Sequence, residues 1–258
     1  KMKIKIFSVI IVFAFSLMLF PAQDEEFIPK PSNALQIDYT VGLNFSFNKV
    51  AVLVGNNNLS NSLNFSYLAL ELDVGISDYL TLGAVAGYNG NYMKDPVDFN
   101  NLPLSLQFQD EAFNSMVLGL RAKSEFLSWK DFSFAANAEY LYFKRLKKEF
   151  PIELPIVTGE AIVKNSFTQL SVELWVQYEG FSNFTLFAGP QLNLLKGKFN
   201  VSEEISDLNA EEELSYKQEN KLGVVAGVLL EVSSHIDVNL KINLISKNSF
   251  SIGAIYVF

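Results

Sequence analysis

Cysteine is absent from the 258 residues, which removes structural disulfides, thiolate metal sites and a lipidated N-terminal cysteine together. Histidine occurs once, as His235, and HExxH metal spacings, a GxSxG elbow and glycine-rich phosphate loops do not occur. Basic residues are few: 20 Lys and Arg against 28 Asp and Glu leave a formal charge of −8. That balance excludes nucleic acid as a partner, because phosphates require a basic face. Long apolar runs are missing beyond Phe20. The nearest, Leu222 to Leu230, contains two glycines and reads as a strand rather than a membrane helix.

What the chain has in quantity is apolar and aromatic side chains, 49% and 14% of the total, with 23 phenylalanines. The mean hydropathy of +0.18 is high for a soluble protein and low for a helical membrane bundle. A chain in which every second residue faces lipid falls between the two.

Lys1, Lys3 and Lys5 precede an apolar run from Ile6 to Phe20, followed by Pro21-Ala22-Gln23 and the acids Asp24, Glu25 and Glu26. This pattern predicts a signal peptide over 1–22, although Phe20 is bulky for its place near the cleavage site. An uncleaved helical anchor is the alternative reading. Residues 23–33, with Pro29 and Pro31, form a linker, and a single domain is expected over 34–258.

From residue 34 the chain alternates with a period of 2. Leu35, Ile37, Tyr39, Val41, Leu43, Phe45 and Phe47 share one face, and polar or small residues occupy the other. The pattern predicts strands near 34–47, 63–76, 79–92, 112–127, 132–144, 166–179, 183–197, 218–232, 236–246 and 249–258. No solvated edge strand leaves so much apolar surface bare, so these faces meet a second sheet or lipid. The connections alternate in length. Ser77-Asp78, Ser128 to Asp131, Gly180 to Ser182 and Ser233 to His235 are tight, whereas 48–62, 93–111, 145–165 and 198–217 are long. Lys247-Asn248 is the exception, short where a long loop is due.

Sorting of short turns to one end and long loops to the other is a property of up-and-down transmembrane barrels. The expected fold is therefore all-β: a transmembrane, up-and-down, antiparallel β-barrel of about ten strands, with eight and twelve as the neighbouring even counts. Its opposite faces then place Asp38, Glu71, Asp73, Arg121, Lys123, Glu125, Glu139, Glu173, Glu231, Asp237 and Lys241 in the lumen. Glu71 and Asp73, two apart on one face, supply two partners for Arg121 or Lys123. The mixture of signs predicts paired charges filling a narrow bore, since charges in low dielectric persist only when paired or wet.

The last ten residues alternate strictly and end on an aromatic. Ser251-x-Gly253-x-x-Tyr256-x-Phe258 resembles the signal by which Gram-negative outer-membrane barrels are recognised by their assembly machinery. Over 34–258 the chain resembles the small outer-membrane barrel superfamily that includes opacity-type and OmpA-like transmembrane domains. The resemblance implies outer-membrane localisation. It also implies the assembly machinery, outer-membrane lipid and lipopolysaccharide as partners, and an unidentified extracellular ligand for the loops. It implies no cofactor, no metal and no active site. Barrel enzymes of this kind use an outer-rim histidine, whereas His235 falls in a short turn. The expected role is non-enzymatic, in envelope structure or surface interaction; the alternative is a narrow porin-like channel for small solutes or cations through an acidic lumen. Loop 198–217, with Glu203, Glu204, Asp207, Glu211, Glu212 and Glu213, reads as a solvated acidic loop without an ordered metal-ligand spacing.

Overall fold

The computed structural model describes residues 38–258, except 78, 100, 103–106, 109–111, 146, 154–157 and 206–207. The expected signal peptide (1–22), the linker (23–33) and the first residues of the first expected strand lie outside the described residues, as does Asp207.

The strands, in chain order, are β1 (Asp38–Val54), β2 (Leu59–Ser77), β3 (Leu80–Met93), β4 (Val97–Asp98), β5 (Gln107–Phe108), β6 (Phe113–Trp129) and β7 (Phe132–Arg145). They continue as β8 (Lys147–Glu153), β9 (Thr158–Tyr178), β10 (Phe184–Ile205), β11 (Leu208–Gln218), β12 (Leu222–Ser233), β13 (Ile236–Leu244) and β14 (Asn248–Val257). β4 and β5 form a small separate pair, and the other twelve make one sheet. Less β8 and β11, ten of them form a closed circuit of antiparallel neighbours, β1-β2-β3-β6-β7-β9-β10-β12-β13-β14. β14 returns to β1 through a ladder from Thr40↔Val257 to Lys49↔Asn248. The sheet thus has no open edge along this circuit, which removes the liability of unpaired backbone groups.

The circuit narrows toward the end opposite the tight turns. Beyond Leu192, β10 leaves β12 and pairs with β11, from Lys196↔Lys217 to Ile205↔Leu208. Beyond Lys49, β1 leaves β14 and pairs with β11 at Val52↔Gln218 to Val54↔Tyr216. β8 continues the path of β7 along β9. One strand therefore replaces the three short ones, β12 to β14, and a circuit of ten becomes a collar of eight. A ring of about eight strands is just wide enough for its own side chains to fill.

Side-chain polarity follows this division. In the ten-stranded part the outward face is apolar: Leu43, Phe47, Leu68, Leu70, Leu72, Tyr88, Leu118, Leu120, Leu174, Ile242 and Ile252 are all exposed. In the collar the polarity inverts. Val50, Val52, Leu63, Phe65, Phe143, Val163, Phe167, Leu195, Phe199 and Val201 point inward and are buried in one cluster with Val97, Phe99 and Leu102 from the β3–β6 connection. Phe143 and Phe167 stack at 4.0 Å, and Phe65 packs edge-on to both.

The long connections expected from the sequence are accordingly shorter than anticipated. Much of 48–62, 145–165 and 198–217 is strand, because the period-2 pattern continues through the collar with its apolar residues on the other face. The stretch 198–217, expected to be a solvated acidic loop, is largely a hairpin of β10 and β11 with Phe199, Val201, Ile205 and Tyr216 inside. The turn between β13 and β14, tight where a long loop was expected, fits beneath β11.

Candidate functional site

The interior divides into three layers, each set by which inward positions the strands supply. Nearest the tight turns lies a cavity of about 670 Å³ lined by both charged and aromatic side chains. Arg121 on β6 reaches across β3 to both acids of β2. Its Nε donates to Asp73 Oδ1 at 2.7 Å, and its two terminal nitrogens bond Glu71 Oε2 and Asp73 Oδ2. Asn44 donates to the second oxygen of Glu71 at 2.8 Å. Gly83 lies between them on β3: a Cβ there would fall 1.9 Å from Asp73 Oδ1 and 2.9 Å from Arg121 Cγ. The absence of a side chain at 83 is what lets the guanidinium cross the strand.

A second charged group sits on the opposite wall. Glu173 on β9 accepts from Gln191 at 2.9 Å, from Asn137 at 3.2 Å and from Lys241 at 3.4 Å, and only 1% of it is exposed. Lys123 lies over the Trp175 ring at 5.7 Å, and Trp175 packs on Phe187 at 4.8 Å. Among described residues the cavity carries more carboxylates than bases, with Glu125, Glu139, Glu179, Glu231 and Asp237 also in its lining.

The middle layer is a belt of amides and hydroxyls. Asn193 accepts from Gln169 at 2.9 Å and from Ser171 at 2.7 Å, and donates to Gln218 at 2.8 Å. Gln218 in turn donates to the Ser246 carbonyl at 2.7 Å, which draws the β13–β14 turn into the bore. That turn is a three-residue one, with Ser246 N donating to Leu244 O at 3.0 Å and Ile245 at φ 77°. A β-branched residue in this region is strained, so the inward tuck is held by the surrounding bonds. Lys247 follows it and is buried. Farther round, Asn165 donates to Asn91 and accepts from the Tyr216 hydroxyl, both at 2.7 Å. Burial raises the Tyr216 phenol well above its usual range, so it remains a neutral donor. Above this belt lies the apolar filling of the collar.

No protein-family model matches the sequence, and no curated protein matches it. Solved structures with a related arrangement of strands exist. The outer-membrane protease OmpT from Escherichia coli superposes with a TM-score of 0.47 at 10% identity, covering 92% of this chain and 99% of that one. The translocator domain of autotransporter NalP from Neisseria meningitidis gives a TM-score of 0.45 at 12% identity, covering 88% and 90%. Outer membrane protein AlkL gives 0.38 at 12%, covering 92% and 97%. At these identities no activity transfers from them to this chain.

Of the charges expected in the lumen, Glu71, Asp73, Arg121, Lys123, Glu125, Glu139, Glu231, Asp237 and Lys241 line this cavity, and Glu173 is buried beside it. Asp38 instead stands exposed at the rim opposite Gly75. Lys247, which sequence reasoning assigned to a turn, joins the interior; its only signal was a short connection where a long one was due. In the last strand Ser251 and Gly253 face the bore, while Tyr256 and Phe258 face outward, edge to face at 4.9 Å. His235 is exposed, hydrogen-bonded to Ser234 Oγ at 2.8 Å and stacked on Tyr256. No group of three or more metal-ligating side chains occurs among the described residues.

Proposed function

We propose that this chain is a bacterial outer-membrane β-barrel of ten strands, with its bore closed by its own side chains and its work done at the collar surface. The observation that carries the reading is the inversion of polarity along single strands. On β1 the outward residues Tyr39 to Phe47 are apolar over eight residue steps, about 26 Å at ~3.3 Å each, which suits the hydrocarbon layer once tilted. From Lys49 onward the outward positions are Lys49, Ala51 and Leu53, and the inward ones, Val50, Val52 and Val54, are buried. An apolar belt encircling a closed ring has no aqueous use, whereas lipid satisfies it. Aromatics gather at the tight-turn rim, where Trp129, Phe132, Tyr178, Phe181 and Phe184 contact one another in sequence, some stacked and some edge to face. This is the place of an interfacial girdle.

In this reading the tight turns are periplasmic and the collar is extracellular, and Ser251, Gly253, Tyr256 and Phe258 are the residues read by the assembly machinery. The role is non-enzymatic: the sole histidine sits in an exposed turn beside a serine, on the side away from the collar. The cavity near the tight turns favours a second reading, a narrow cation-selective conduit, which requires the collar filling to be displaced. Planar-bilayer recording separates the two. The closed barrel gives no steady conductance, and stable cation-selective openings of the unmodified chain would overturn it in favour of the conduit.

A further inference from the structure

The outward face of the collar is not uniform, and its lysines gather on one wall. The registers place Lys144 of β7, Ser166 of β9, Lys198 of β10 and Ser215 of β11 in one row, since Phe143 pairs with Phe167 and Ser166 and Ser215 flank Lys198. The adjoining row nearer the apolar belt holds Thr168, Lys196 and Lys217. The row on the other side holds Lys147 and Lys164 together with Asn200 and Glu213. Two pairs, Lys196↔Lys217 and Lys147↔Lys164, stand directly opposite each other across a ladder. Like charges so placed are destabilising, and the fold retains both.

Only part of this charge is neutralised within the protein. Lys147 pairs with Glu149 at 2.6 Å and Lys198 with Glu213 at 2.8 Å. Lys144, Lys164, Lys196 and Lys217 have no ion pair or hydrogen-bonded side chain among the described residues. This concentration of cations occurs on a chain whose net charge is −8. Elsewhere round the ring, β1, β2 and β6 present Asn64, Ser66 and Asn114 outward beyond the belt, with Lys49 and Lys94 as the cations.

The apolar belt begins directly beneath the patch. Lys144 is paired with exposed Met116 and follows Tyr142 by two residues, and Lys196 follows Leu194 by two, about 7 Å along the strand. We propose that the wall formed by β7 to β11 binds a phosphate-bearing headgroup of an outer-leaflet glycolipid, with the acyl chains lying on the belt below. The interleaved hydroxyls of Ser166 and Ser215 supply neutral donors for phosphate oxygens between the lysines. The inference rests on the membrane reading above, and it adds a fixed lipid partner to one side of the barrel.

The test uses the refolded full chain in neutral-detergent micelles, with retained lipid read by native mass spectrometry. Probes are a bis-phosphorylated glucosamine glycolipid, its dephosphorylated form and inorganic phosphate as competitor. The phosphorylated lipid is retained, the dephosphorylated lipid is not, and millimolar phosphate does not compete. Replacing three exposed cations together, Lys144→Gln, Lys196→Gln and Lys217→Gln, weakens retention on the order of a hundredfold, and Lys49→Gln with Lys94→Gln elsewhere round the ring leaves it unchanged. Heat-modifiable mobility of each variant shows that folding is intact. Equal retention by the triple variant, equal loss in the two variants, or full competition by free phosphate overturns the lipid site. Insertion into vesicles is scored separately by protease protection: a chain that fails to insert overturns the membrane reading, whereas one that inserts but ignores the phosphates overturns the site alone.

Discussion

Arg121 is held between two carboxylates that differ by two positions on β2, and the three charges depend on one another. Replacing Arg121 by Met leaves Glu71 and Asp73 facing each other in a poorly solvated wall, and unfolding in urea should show a loss of about 3–5 kcal/mol. The triple change Glu71→Gln, Asp73→Asn and Arg121→Met should recover most of that loss, since no unpaired charge remains; no recovery would mean that packing rather than charge sets the cost. Gly83→Ala tests the same cluster without touching a charge. Its new methyl meets Asp73 and Arg121, and overpacking of this kind should cost about 1–3 kcal/mol, against little change for Gly90→Ala, where the nearest side-chain atom is 3.9 Å away. This cluster was legible in the sequence because strand periodicity puts 71, 73 and 121 on the same face as one another. Lys247 was not, because a turn residue carries no periodicity and its inward course depends on Gln218 and Ser246 from distant parts of the chain.

At the scale of the strand, β9 and β10 each change character midway, and this is where sequence reasoning stopped short. The apolar residues of β10 run through Leu186, Leu192 and Leu194 on the outside and then through Leu195, Phe199 and Val201 on the inside. A reader following one phase sees the pattern end at 197, and the carboxylates beyond it then look like a loop. The half of the fold with an apolar outward face was therefore readable, but the collar required knowledge of what the inner face packs against. Phe199, edge to face with Phe99 and Phe113, is the sharpest probe of the difference. Phe199→Ala should cost about 3–5 kcal/mol in urea unfolding, with Leu174→Ala on the belt costing much less; the reverse order would place the core elsewhere. Excising 198–217 should likewise destabilise the protein and bind a dye for exposed apolar surface. A surface loop of that length would be lost with little effect, since closure entropy depends weakly on length.

The whole molecule has two ends that differ in chemistry, a charged cavity at one and an apolar-filled collar at the other. Tags placed after Ser77 or at Ser234 should stay hidden on intact cells and become accessible once the envelope is opened, while protease added outside cuts in the collar. Accessible turn tags would reverse the orientation. In the membrane reading proposed above, the taper from ten strands to eight bears on how the molecule reaches its place. The collar has an apolar filling and a polar wall, so as a finished body it is far too wide and too well hydrated to pass through a bilayer. Its hairpins must cross as extended chain and pack only after arrival on the far side. Once Phe143, Phe167 and Phe199 have closed together, withdrawal requires that packing to be undone first. The collar is then a one-way catch: insertion proceeds in a single direction because the last part to fold is the part that can no longer go back.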